Sequence, residues 1–111
     1  MVTVSLTREE NKDMDIRMEN INDSIKVILN GRIDTTTSPA LEQKLKSGMQ
    51  QCSDLILDFA GVEYISSAGL RVLLSAHKFM SKKGGLKLIN VSDDISEILE
   101  VTGFNDILNI E

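Results

Sequence analysis

The sequence predicts an α/β layer structure in which at least part of the sheet is parallel. Two observations carry that reading. From residue 25 onward, short apolar runs rich in β-branched residues alternate with longer segments of helical periodicity, the order that builds β-α-β crossovers. The helical segments are also punctuated: Ser38-Pro39 and Ser92 mark starts, while Gly84-Gly85 and Gly103 mark stops. No internal repeat or low-complexity segment interrupts this order.

Each element follows in turn. Val2, Val4 and Leu6 alternate before a polar stretch, so residues 1–13 read either as an arm or as an added edge strand, and residues 14–111 as a single domain. Met14, Ile16 and Met18 alternate with Asp15 and Arg17, which fits a strand with one wet face, and the residues 19–23 supply a turn. Ile25 to Ile33 is continuous enough for a more buried strand, with Asp34 at its exit. Ser38 is then expected to cap a helix that has Pro39 in its first turn. Leu41, Leu45 and Met49 form its apolar stripe, ending near Gln50.

Asp54 to Ala60 reads as a central strand covered on both faces. After a short loop, residues 67–82 show helical spacing, with Arg71, Ser75, Lys78 and Lys82 on the polar stripe. Leu86 to Val91 is a further strand, and Ser92 opens a helix carrying Ile95, Ile98 and Leu99. Residues 107–110 complete the series as a last strand.

Composition narrows function. The 111 residues suffice for one core, burying roughly 65% of the unfolded surface. A net charge of −5 argues against a direct nucleic-acid binder, which needs clustered Lys and Arg to release counterions. No apolar stretch approaches the ~20 residues of a spanning helix and no signal peptide opens the chain, so membrane insertion is not expected and the cytoplasm is. With one cysteine, Cys52, and one histidine, His77, neither a disulfide nor a zinc site nor a Cys-His nucleophile pair can be assembled. Cys52 reads as a packing residue. No metal, cofactor or catalytic constellation is expected.

The informative stretch is Glu63 to Leu74, where Ser66 and Ser67 stand at the start of a helix. Unpaired amides and the helix dipole make that place suit an anion. One serine can simply cap the helix; a sharper reading makes a serine the acceptor of a phosphate, whose charge the amides would stabilise. Ser67 fits better than Ser66, because it shares a stripe with Arg71 and Ser75. A hydrolase nucleophile does not fit: the Gly-x-Ser-x-Gly elbow is missing, and His77 lies ten residues on, about 15 Å at ~1.5 Å per residue.

Taken together, these stretches make the chain resemble a STAS domain, the fold of bacterial anti-sigma factor antagonists. The resemblance rests on residues 29–34 (LNGRID), 55–74 (LILDFAGVEYISSAGLRVLL) and 84–104 (GGLKLINVSDDISEILEVTGF). It implies a mixed four- to five-stranded sheet with helices mainly on one face. It also implies that Ser67, aligned by the Gly-Leu that follows, is phosphorylated by an anti-sigma factor that is itself a serine kinase. The unphosphorylated form would bind that anti-sigma factor and release the sigma factor, and a PP2C-type phosphatase would reset the cycle. Asp34, Thr35, Ser66, Ser67, Gly69 and Arg71 are the residues expected to meet the partner. Ser66 stands where the best-known members carry aspartate, which makes it a second possible acceptor, and Ala68 replaces a frequent hydroxyl residue. The competing implication is a structural subunit of a lipid or anion transport assembly, with no phosphate involved. In neither case is the chain an enzyme.

Overall fold

The computed structural model describes residues 7–10 and 14–111. The Val2–Val4–Leu6 alternation lies outside the described residues. Six strands form one sheet in sequence order: β1 (Thr7–Glu10), β2 (Met14–Ile21), β3 (Ser24–Ile33), β4 (Asp54–Ile65), β5 (Leu86–Ile89) and β6 (Asn109–Ile110). β1, β2 and β3 pair antiparallel, whereas β3 through β6 are parallel. The parallel strands are joined by α1 (Ser38–Met49), α2 (Ser67–Met80) and α3 (Asp93–Val101). Each crossover steps to the next strand in the same direction, and crossovers of one hand then place all three helices on one face.

The burial pattern agrees. Ile16, Val27, Leu29, Leu55, Leu57 and Leu88 point into a single core, where they meet Leu41 and Leu45 of α1, Leu73 and Met80 of α2, and Ile95 and Leu99 of α3. The opposite face is largely half-exposed and mixes charged residues with Ile28, Ile56 and Ile89. There Lys26 Nζ lies 3.8 Å from Asp58, whose carboxylate also accepts hydrogen bonds from the Ala60 amide and from Asn90 Nδ2, both at 3.0 Å. These partners account for Asp58, the one buried carboxylate among the residues whose side chains the structure describes.

Several boundaries differ from the sequence reading. β2 continues through Glu19 to Ile21, so the turn is confined to Asn22 and Asp23, with Asn22 at φ 56°. β4 runs on to Ile65 rather than ending at Ala60, and no loop separates it from the serines. Two register shifts against β3 explain this: Ile28 and Asn30 face Asp58 and Gly61, and Gly31 and Arg32 face Val62 and Tyr64. Each inserts an extra residue into β4, so its core positions step from Phe59 to Val62 to Ile65 and the period of two is lost. β5 stops at Ile89, because Asn90 turns the chain at φ 58°. The last strand shrinks to two residues, preceded by a 3₁₀ turn at Phe104–Asp106 that follows Gly103 at φ 81°.

Cys52 is buried against the core. Burial pushes its thiol above the usual value, with Lys83 opposing the rise and Asp54 adding to it. Among the described residues, no helix is long and apolar enough to cross a membrane.

Leu57 is fully buried at the centre of β4. Leu57→Ala should cost about 2–5 kcal/mol, read as a lower urea midpoint at unchanged slope.

Candidate functional site at the ends of β3 and β4

Two neighbouring parallel strands, β3 and β4, end at the same level, with Ile33 opposite Ile65. The Ser66 amide donates to the Ile33 carbonyl at 2.8 Å and so extends the ladder by one bond past the last paired residues. The chain then turns in opposite styles. After β4, Ser66 keeps extended dihedrals (φ −93°, ψ 174°) and α2 begins at Ser67. After β3, Asp34 to Thr37 make a tight turn before α1.

That turn is built from one carboxylate and one hydroxyl. Asp34 Oδ1 accepts from the Thr36 hydroxyl at 2.7 Å, the Thr36 amide at 3.0 Å and the Thr37 amide at 3.1 Å. Thr37, only 1% exposed, accepts from the Asp34 amide and donates to the Arg32 carbonyl, both at 2.8 Å. The expectation that Ser38 caps α1 is corrected here. The residue at the cap position is Thr37, without a side-chain cap bond, and Ser38 is the first helical residue. The Ser38 hydroxyl instead donates back to the Asp34 carbonyl at 2.5 Å. The Thr36 hydroxyl, first, and then the Thr37 and Thr36 amides hold the Asp34 carboxyl below its ordinary value, against partial loss of solvent.

Ser66 and Ser67 have separate environments. Ser66 is half-buried and its Oγ accepts from the Gly69 amide at 3.3 Å, the N-cap bond of α2. Ser67 is exposed, and its hydroxyl has no hydrogen-bond partner among the described residues. Arg71 and Ser75 are exposed on the same side of α2, so the stripe inferred from spacing exists. No acidic residue occupies the first turn of α2.

Gly69 lies beneath the serines, buried where α2 crosses the strand ends. A Cβ there would come within 2.6 Å of Ile33 Cγ2 and 2.8 Å of Ile65 Cγ1. Hydrogen at this position lets the first turn of α2 settle onto β3 and β4.

The six residues singled out from sequence are therefore grouped on the β3 exit loop, the single cap residue after β4 and the first turn and a half of α2, with Thr35 and Arg71 both lining the cleft between the starts of α1 and α2. Sequence reasoning missed Thr37, Arg32 and Tyr64. Thr37 fastens the β3 exit from inside, and its signal was an aspartate followed by a threonine three residues on. Arg32 sits 4.6 Å over the Tyr64 ring and 3.8 Å from the Asp34 carboxylate, on the outer side of the same strand ends. Parallel register makes Arg32 and Tyr64 neighbours, which the bulges in β4 hid from the sequence. His77, partly buried on α2, has an Nδ1 without a hydrogen-bond partner and stands apart from this group. Among the described residues, no cluster of His, Cys, Asp and Glu could hold a metal ion.

A mixed sheet with helices on one face, and a serine pair heading the helix after its central strand, define the fold class, and comparison with known proteins gives the family. The chain belongs to the STAS-domain family, whose model matches residues 15–111. It is 37% identical over 101 residues to an anti-sigma-B factor antagonist of Bacillus subtilis, covering 90% of this chain and 91% of the relative. Its fold is similar to the crystal structure of an anti-sigma factor antagonist from Mycobacterium paratuberculosis (TM-score 0.74, 21% identity, 97% of this chain and 85% of that one). It is also similar to the Bacillus cell fate determinant SpoIIAA in its phosphorylated form (TM-score 0.63, 14% identity, 96% and 91% covered).

Gly69→Ala should lower stability by about 1–3 kcal/mol despite the better helix propensity of alanine, because two buried isoleucines must move; chemical denaturation measures it. Asp34 has a depressed folded pKa, so its contribution should be complete above the ordinary carboxylate value of about 3.9 and fade as pH falls through the lower folded value. The stability gap between wild type and Asp34→Ala, followed by urea unfolding, should stay constant from pH 5 to 7 and shrink below pH 4.

Proposed function

We propose that the chain is an anti-sigma factor antagonist whose docking is switched off by phosphorylation of Ser67. The observation that carries this is the division of labour between adjacent serines. Ser66 uses its hydroxyl to cap α2, whereas Ser67 presents an unengaged hydroxyl to solvent. A kinase can reach Ser67 without breaking a hydrogen bond of the fold, and modification of Ser66 would remove a cap worth about 1 kcal/mol. The antagonist named among the relatives and the phosphorylated form of a structural neighbour support the reading.

The physics of the switch is local. A phosphate on Ser67 carries nearly two negative charges at neutral pH. The free amides of the first turn of α2 and the Arg71 guanidinium one turn on are suited to stabilise it, so the domain itself tolerates the modification. A partner docked over the same spot meets a strongly hydrated dianion instead of a hydroxyl. Losing about 3 kcal/mol at that contact lowers affinity more than a hundredfold. Asp34 and Thr35 border the site and Gly69 supports it from below, which gives the partner one rigid surface made from two loops. In this scheme the partner is an anti-sigma factor acting as the serine kinase, a PP2C-type phosphatase removes the phosphate, and the exchange takes place in the cytoplasm. The chain acts by binding and catalyses nothing.

Intact-mass spectrometry of the protein from its own cells, with peptide mapping, tests this. One added phosphate that disappears in Ser67→Ala and persists in Ser66→Ala is the expected result. Loss only in Ser66→Ala would move the acceptor by one residue. No phosphate under growth, starvation or stress would favour a constitutive structural subunit.

A further inference from the structure

The charge of this chain is unevenly placed. α2 and the three residues after it carry Arg71, Lys78, Lys82 and Lys83 without a single acid, and α1 adds Lys44 and Lys46 against Glu42. α3 carries Asp93, Asp94, Glu97 and Glu100 without a cation. A chain of net charge −5 thus turns a basic surface outward from two adjacent helices. Among the described residues, Lys46, Arg71, Lys78 and Lys82 have no ion-pair partner.

Between α1 and α2 lie two adjoining cavities that share lining residues and together make a groove. Its upper part, of about 370 Å³, is bordered by Thr35, Ala68 and Arg71 and so adjoins the residue that follows Ser67. Its lower part, of about 170 Å³, has an apolar floor of Leu45, Met49, Val72 and Ala76 and a wall made by Phe79. Glu42, Val72 and Ser75 belong to both parts. Phe79 is 42% exposed, which is unusual for a phenylalanine with a core available to it, and Lys83 Nζ rests 5.8 Å from its ring centre. The helix that forms one bank is 14 residues long, about 21 Å at ~1.5 Å per residue, enough to seat about three turns of another helix.

We propose that this groove receives an amphipathic helix of the anti-sigma factor whose outer edge is acidic, so that docking extends from Ser67 along α1 and α2 to Phe79. The inference rests on the reading of Ser67 given above and adds the chemistry of the partner segment. The apolar floor and Phe79 take the partner's apolar face, and the unpaired cations on both banks meet its carboxylates. The acidic α3 repels the same segment, so the field of the molecule steers it to one side. Because the groove begins beside Ser67, a phosphate there places two negative charges against the end of an acidic helix, and the switch and the groove act on one contact.

Calorimetric titration with the anti-sigma factor co-purified with the Ser67→Ala chain and identified by mass spectrometry tests this. Phe79→Ser should weaken binding at least tenfold. Lys46→Glu with Lys78→Glu should weaken it at least thirtyfold and flatten its salt dependence. Lys87→Glu and Val101→Ser, away from the groove, should stay within twofold, and thermal melting confirms that each variant is folded. Binding within twofold of wild type for both groove variants overturns the groove. If Ser67→Glu still abolishes binding in that case, the switch survives without it. If Ser67→Glu is harmless while the groove variants fail, the switch reading falls and the groove stands. A change confined to self-association, seen by sedimentation, would assign the groove to a second copy and overturn the proposal.

Discussion

The constraint on which the rest depends is that β3 and β4 end together. A parallel pair with Ile33 opposite Ile65, continued by the bond from the Ser66 amide to the Ile33 carbonyl, brings two loops distant in sequence to one level. Because Gly69 lets α2 settle onto both isoleucines, the helix begins immediately above them and its first outward side chain is Ser67. Asp34 and Thr37 lock the other loop with bonds that need no partner from elsewhere in the chain. The surface that results is fixed before any partner arrives, which reduces the ordering cost of docking.

Much of this was legible in the sequence because the relevant segments have undisturbed periods. β3, α1 and α2 could be placed from β-branched runs and four-residue stripes, and the exposed side of α2 follows from counting fours from Ser67. Failures occurred where a local interaction overrides the period. The bulges at Ala60 and Glu63 shift the core positions of β4 by one residue each, so the strand's second half reads as loop and the Arg32–Tyr64 pairing is invisible. Ser38 has the composition of a cap, but the carbonyl of Asp34 lies within reach of its hydroxyl and Thr37 takes the cap position. Asn90 ends β5 early through a positive φ that a sequence pattern does not reveal.

In the proposed complex, the same layout would let a small chain bind selectively with few ionisable groups at the site. Acidic charge sits on α3, and basic charge sits on α1 and α2 beside an apolar groove. Under that proposal, the separation would give orientation at a distance through the field and discrimination at contact through the groove. Under the proposed switch, a phosphate at Ser67 would change the sign at one end of the basic surface, where the partner would lie closest, without asking the core to move.

The central claim is that the switch is a surface change on a rigid scaffold. Amide NMR spectra of the protein with and without phosphate on Ser67, combined with titration of the anti-sigma factor into each form, test it most directly. Shift changes confined to the β3 exit and the first two turns of α2, together with at least a hundredfold loss of affinity, are expected. Shifts spread through β4, β5 and α3, or unchanged affinity with local shifts, would contradict it.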